Sequence, residues 1–126
     1  MLGSMDIIAF VPTRNPANAR PFYEKTLGLR FVSDDEFALV FDANGVMLRV
    51  VNVAGVKGFA TAPFTILGWS VGDIGKAVRT LHDKGVTFER YPGMGQDEKG
   101  VWNSPSGAKV AWFKDPDGNV LSVTEH

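Results

Sequence analysis

Residues 114–123 read KDPDGNVLSV and residues 41–50 read FDANGVMLRV, so a tight turn followed by an alternating strand occurs twice in the chain. The two segments align without a gap, with Asp115 on Asp42 and Gly118 on Gly45. The four residues from Asp115 to Gly118 fit a type I turn, because Pro suits the second position of that turn and Gly the fourth. A repeat of this kind predicts two copies of one supersecondary unit.

The segments upstream of the two repeats also match each other. In each half a β-rich segment precedes a helical pattern of apolar residues, and the helix is followed by a glycine suited to a C-terminal cap. For the first helix we expect regular structure from Asn18, since Pro21 then lies in the first turn, where its missing N–H costs little. A start at Asn15, with Pro16 in the first turn, is the alternative. Asp73 is the expected cap of the second helix.

Several β-rich segments follow each helix. They are LRFVS, FALVFDA and VMLRVVNV in the first half and VTFERY, VWNS, AKVAWFK and VLSVTE in the second. The order βαβββ predicts an α+β fold in which two modules form a curved mixed sheet around a central cleft, with the helices on the convex side. We expect one domain over residues 5–126, with modules at about 5–53 and 63–126, and residues 1–4 resemble a cloning scar.

The composition limits the function classes. The chain has 126 residues, of which 13 are basic and 14 acidic, and its net charge of -1 gives no sign of a nucleic-acid partner. No apolar run approaches the roughly 18 residues that a membrane span needs, so we expect no membrane partner. There is no cysteine, which excludes disulfides and thiolate ligands and is compatible with the cytoplasm, the location we expect.

Three segments stand out, and together they lie in both modules: ARPFYEKTLGLRF, GWSVGDIGKAVRTLHDKGVTFE and WFKDPDGNVLSV. They resemble the vicinal oxygen chelate superfamily, which groups glyoxalases, bleomycin resistance proteins and extradiol dioxygenases. The resemblance implies the paired βαβββ fold. It also implies a homodimer, since members of the superfamily commonly pair through sheet edges or by exchanging modules.

The resemblance further implies where a metal would be bound, because the superfamily's enzymes take ligands from the first and fourth strands of each module. The corresponding residues here are Ile8, Arg49, Ile66 and Ser122. Divalent ions need imidazole nitrogens and carboxylate oxygens, which none of these side chains supplies. His82 and His126, the only histidines, are expected at the surface. We therefore expect no metal and no cofactor.

Alternate residues of a strand share one face, so those four positions also assign the cleft walls. The inward residues are expected to be Ile8, Phe10, Pro12, Met47, Arg49, Val51, Ile66, Gly68, Ser70, Val120, Ser122 and Thr124. Trp69 is expected on the opposite face, beneath the second helix. Arg49 is the one inward charge, and its partner is either an internal carboxylate, such as Glu36 or Glu89, or an anionic ligand.

The second half carries the aromatic candidates. Trp102, beside a long loop, is a candidate for the pocket, and Trp112 is a candidate for either core packing or stacking on a ligand. The loop at residues 92–100, PGMGQDEKG, is either a lid or an exposed connection. Asp97 and Glu98 are its only carboxylates that could act as a general base.

Two functions fit these features. The first is a metal-independent protein that binds a hydrophobic or aromatic compound, including an anionic one, through Phe10, Met47, Arg49, Trp102, Trp112 and Ser122. The second is a glyoxalase- or dioxygenase-like lyase or isomerase, which would use a non-standard metal site or, without metal, Arg49 and a loop carboxylate. In both cases the partners expected are a small molecule and a second copy of the chain.

Overall fold

A computed structural model describes residues 1–126, and the chain divides into an N-terminal unit, Met1–Thr61, and a C-terminal unit, Ala62–His126. The N-terminal unit contains a 3₁₀ turn (Leu2–Ser4), β1 (Ile8–Thr13), α1 (Pro16–Pro21), a π-helical turn (Phe22–Thr26), β2 (Arg30–Asp34), β3 (Ala38–Ala43) and β4 (Val46–Asn52). The C-terminal unit contains β5 (Thr65–Ser70), α2 (Ile74–Asp83), β6 (Trp102–Asn103), β7 (Lys109–Lys114) and β8 (Val120–Glu125).

Each unit has one four-stranded mixed sheet of the same topology. The strand order is β1-β4-β3-β2 in the N-terminal unit and β5-β8-β7-β6 in the C-terminal unit. In both, the first and last strands pair in parallel, and the other neighbours are antiparallel. The predicted α+β fold of repeated βαβββ modules is confirmed.

The core of the N-terminal unit lies between one face of its sheet and the α1 segment. Fully buried side chains come from β1, β3, β4 and the π-helical turn: Val11, Tyr23, Phe41, Leu48 and Val50. The ring of Tyr23 lies 5.9 Å from that of Phe41, measured between centroids. The alternation of these residues along the strands leaves the other face of the sheet free of helix.

The start predicted for α1 at Asn18 is wrong. The helix begins at Pro16, and the side chain of Asn15 caps it by accepting a hydrogen bond from the backbone N–H of Asn18 at 3.3 Å. Pro21 therefore lies at the sixth helical position, where it has no N–H to donate. The chain accommodates it by ending the α-helix there and widening into a π-helical turn, in which Leu27 N–H bonds to Phe22 O.

The core of the C-terminal unit lies between its sheet and α2. The helix is capped as predicted, since an Asp73 side-chain oxygen accepts from the backbone N–H of Lys76 at 3.0 Å. Its buried residues, Ile74 and Val78, lie on the side of the sheet that carries Phe113. No helix of the chain is both long and apolar enough to cross a bilayer.

The predicted strand at residues 86–91 is reduced to a single bridge, between Phe88 and Phe113. The segment runs beside β7, since Glu89 N–H also bonds to Trp112 O. Beyond that point the N–H of Tyr91 is taken by a side chain, that of Gln96, at 2.6 Å. A strand therefore cannot continue there.

Candidate functional site

We call the face of each sheet that is turned away from its helix the open face. In the N-terminal unit, Ile8 pairs with Met47 and Phe10 with Arg49 along the parallel β1–β4 ladder. All four side chains alternate with core residues and thus lie on the open face. Phe10 is 61% exposed and Met47 43% exposed, which makes this face apolar and accessible. The alternation predicted for these strands is confirmed.

Arg49 forms an ion pair on this face. Its Nη2 lies 2.8 Å from an oxygen of Asp35, in the β2–β3 turn, and the two side chains are 25% and 41% exposed. The internal partner is therefore neither Glu36 nor Glu89, the two residues considered from the sequence. Asp35 is brought to Arg49 by its own turn, because the same carboxylate accepts from the N–H groups of Phe37 and Ala38.

The environment of Asp35 favours its ionised form. The hydrogen bond from Arg49, followed by the one from the Ala38 N–H, lowers the pKa of the Asp35 carboxyl below its usual value. The pair is thus charged at neutral pH. Only one nitrogen of the Arg49 guanidinium is engaged in this pair, so other N–H donors of the side chain remain for a second acceptor.

In the C-terminal unit the open face is centred on Ser122. Ser122 pairs with Gly68 on one side and with Trp112 on the other. A Cβ atom built on Gly68 would lie 2.5 Å from the Ser122 hydroxyl oxygen, so the serine fills the space that the glycine leaves. The register matches the N-terminal unit, where Arg49 holds the place of Ser122 and Phe10 that of Gly68.

A β-bulge interrupts the pairing of β5 with β8 near the start of β5. Thr65 pairs with Val120 and Leu67 with Leu121, so Ile66 is an extra residue without its own partner. Gly68 and Ser70, which were predicted to face inward, pair with Ser122 and Thr124 along the same ladder.

Thr65 takes part in an aromatic cluster on the same face. The indole N–H of Trp112 donates to the Thr65 hydroxyl at 3.1 Å. The Trp112 ring lies 5.9 Å from the Trp102 ring, tilted by 35°, and 5.5 Å from the Tyr91 ring in an edge-to-face contact. All three rings are half-buried and keep part of their surface free. Trp112 thus lies on the open face and outside the core.

The loop at residues 92–100 is held to the sheet by its own side chains. Gln96 accepts from Tyr91 N–H and donates to the carbonyls of Glu89 and Gly100 at 2.9 and 2.8 Å. Asp97 accepts from two backbone N–H groups and organises the turn that follows. The sequence contained no signal for Gln96, because a glutamine inside a loop has no preferred pattern.

The side chains at the four family ligand positions do not fit a divalent cation. Ile8 and Ile66 have no donor atom, Arg49 is a cation already paired with a carboxylate, and Ser122 offers one hydroxyl beside Gly68. Elsewhere no group of three or more His, Asp or Glu side chains is placed to hold a metal ion. We derive no chemistry through a metal at this site.

Comparisons with known proteins identify the family of the chain. Residues 5–123 match the family model of the Glyoxalase/Bleomycin resistance protein/Dioxygenase superfamily. The uncharacterized protein YraH of Bacillus subtilis (strain 168) is 31% identical over 116 residues, covering 81% of this chain and 83% of that protein.

Solved structures share the fold at lower identity. A superfamily member from Sphaerobacter thermophilus has a TM-score of 0.76 at 22% identity, over 98% of each chain. A lactoylglutathione lyase from Agrobacterium tumefaciens has a TM-score of 0.71 at 17% identity, over 97% of this chain and 93% of that one. At these identities the likeness establishes the fold alone.

Proposed function

The chain belongs to the glyoxalase, bleomycin resistance protein and dioxygenase superfamily, and we propose that it is a metal-independent binding protein for a small hydrophobic or aromatic compound, including an anionic one. The observation that supports this most is the aromatic cluster on the open face of the C-terminal unit. Trp112 is fixed by its hydrogen bond to Thr65, and Trp102 lies beside it at a small tilt. Fixed, half-buried rings offer a surface on which a flat ligand can stack.

The proposed ligand-binding residues lie on the two open faces. They are Phe10, Met47 and Arg49 in the N-terminal unit and Trp102, Trp112 and Ser122 in the C-terminal unit. Anionic ligands are included in the proposal because of Arg49. Asp35 holds this side chain in place, and its remaining N–H donors can bind a carboxylate or phosphate group of the ligand. The proposal includes a cytoplasmic location.

The enzymatic alternative receives less support from the same residues. Arg49 is paired with Asp35, and the Asp97 carboxylate is used by the backbone of its own loop. Glu98 is an exposed carboxylate in that loop.

The three tryptophans allow a controlled test. A thermal-shift screen over antibiotics, aromatic acids and oxoacids supplies ligands, and each is then titrated while the tryptophan fluorescence is followed. We expect Trp102→Leu and Trp112→Phe to weaken binding, and Trp69→Phe to leave it unchanged, because Trp69 pairs with the core residue Val123 on the other face. Equal binding by all three variants would refute the proposed site.

Arg49 has a separate test. Arg49→Met should lower the affinity for anionic ligands and leave the affinity for neutral ligands unchanged, since methionine keeps most of the packing of the arginine stem. If neutral and anionic ligands lose affinity equally, the charge has no role in binding.

We also propose that the protein forms a homodimer. Several large apolar side chains outside the proposed binding residues are exposed in the single chain, among them Ile7, Phe37 and Phe64. Exposed apolar residues in such number suit an interface between subunits. Light scattering at micromolar concentration should give twice the mass of the chain, and a monomer would contradict this part of the proposal.

A further inference from the structure

A second candidate site lies on the helix side of the C-terminal sheet, away from the aromatic cluster. It is a surface pocket of about 540 Å³ between α2 and the segments that follow it, lined in part by Val78, Arg79, Phe88, Arg90, Glu98 and Lys99. We call it the α2 pocket. Its volume is in the range of pockets that take drug-sized ligands, roughly 300–1,000 Å³.

The charges around the α2 pocket are mostly positive. The basic side chains are Arg79, Arg90 and Lys99, and Glu98 is the only carboxylate among the lining residues. The chain as a whole has a net charge of -1, so this local excess of cations is set apart from the rest of the molecule. A cleft lined by charges of one sign raises the local concentration of ligands of the opposite sign.

Two of these cations are available to a ligand. Arg79 projects from α2 and Lys99 from the loop, and neither forms an ion pair within the chain. Arg90 is fixed in place, since its guanidinium donates to the Asp97 carbonyl. An arginine that is already oriented loses less conformational freedom when it binds an anion.

The pocket also has an apolar wall. Phe88 is held by its bridge to Phe113 and by an edge-to-face contact between the two rings, at 5.7 Å between centroids. Val78, also part of the lining, belongs to the buried side of α2. A ligand that filled this volume would contact carbon on one side and positive charge on the other.

We propose that the α2 pocket binds a small ligand that carries a phosphate or carboxylate group on an apolar body. The apolar body packs against Phe88 and Val78, and the anionic group is held by Arg79, Arg90 and Lys99. This site is independent of the proposed binding residues on the open faces.

The test uses isotope-labelled full-length protein and follows backbone amide NMR signals during titration with 1-naphthyl phosphate. The signals of Arg79, Phe88 and Lys99 should shift and saturate. Titration with 1-naphthoate shows whether a carboxylate serves as well as a phosphate, and 1-naphthol, which lacks the charge, should bind at least tenfold more weakly. Shifts confined to the open face, or equal affinity for 1-naphthol, would overturn the proposal.

A pair of double variants separates a specific site from a general effect of charge. The double variant Arg79→Gln with Lys99→Gln should bind 1-naphthyl phosphate about tenfold more weakly than the wild type, as expected for the loss of two exposed charge contacts. Lys57→Gln with Lys76→Gln removes the same charge at exposed positions outside the pocket and should bind like the wild type. Equal affinities in the two variants would refute the pocket as the binding site.

Discussion

The packing of Ser122 against Gly68 leads to a prediction about the open face of the C-terminal unit. In Gly68→Ala the new methyl carbon would lie 2.5 Å from the Ser122 hydroxyl oxygen and 3.3 Å from the Ser122 carbonyl oxygen. Gly68 is not among the residues with positive φ, so its backbone accepts alanine without strain. Any loss of stability must therefore come from the steric contact.

The expected size follows from two opposing effects. Adding a methyl group to a packed position costs about 1–3 kcal/mol, and here the middle of that range applies because the serine hydroxyl can turn to another rotamer. Alanine in place of glycine within a strand recovers about 0.5–1 kcal/mol. We expect Gly68→Ala to lower the free energy of unfolding by about 1 kcal/mol.

A double-mutant cycle isolates the contact. In Gly68→Ala with Ser122→Ala the hydroxyl is gone, and the methyl carbon keeps only the contacts with the carbonyl oxygen of residue 122 at 3.3 Å and with its Cβ at 3.8 Å. The two substitutions should therefore show a favourable coupling of about 1–2 kcal/mol in urea unfolding followed by tryptophan fluorescence. Gly72→Ala, which adds a methyl group with nothing within 4 Å, is the control and should leave stability within about 0.5 kcal/mol. A coupling near zero would refute the steric argument.

Three further predictions concern other parts of the site. Because the pKa of Asp35 is lowered in the folded state, its ionised form stabilises the protein above the unfolded value of about 4, and this stabilisation is lost as the pH falls through the folded pKa. In urea unfolding, the wild type should be more stable than Asp35→Asn at pH 7, and the difference in the free energy of unfolding should shrink below about pH 4. A difference that stays constant with pH would contradict this. Gln96→Leu should lower the free energy of unfolding by about 2 kcal/mol, since three backbone groups lose their hydrogen-bond partners. Because Tyr91 contacts Trp112, the same substitution should alter the fluorescence of Trp112, and an unchanged spectrum would show that Gln96 does not position the aromatic cluster. Elemental analysis of protein purified without chelators should find far less than one equivalent of Zn, Ni, Fe or Mn per chain, and a stoichiometric metal removable by EDTA would contradict it.

The repeat made much of the fold predictable from the sequence. Turn chemistry such as Asn44-Gly45, whose φ angles are both positive in the structure, is local and survives in any context. Strand alternation is also local, which is why the placement of Phe10, Met47 and Arg49 on one face could be predicted and is confirmed.

The features that were not predicted arise where the sequence allows more than one local arrangement. Pro21 favoured a later helix start, yet capping by Asn15 and a π-helical turn accommodate it. The identity of the carboxylate that pairs with Arg49 depends on the conformation of the β2–β3 turn, which places Asp35 next to Arg49. The bulge at Ile66 could not be predicted from the sequence, since a bulge inserts one residue into a strand pattern that otherwise stays intact.

The parallel pairing of the first and last strands has a consequence for how the two units can diverge. Each pairing closes a loop, of roughly 40 residues between Phe10 and Arg49 and roughly 55 between Gly68 and Ser122. The entropy of closure grows only with the logarithm of length, so the longer loop costs about 0.3 kcal/mol more. An insertion between the helix and the last strands is therefore almost free in thermodynamic terms. In the C-terminal unit the additional residues of this connection form both the Gln96 loop and one wall of the α2 pocket. The connection between the helix and the last strands is therefore the place where a repeated fold can acquire new chemistry.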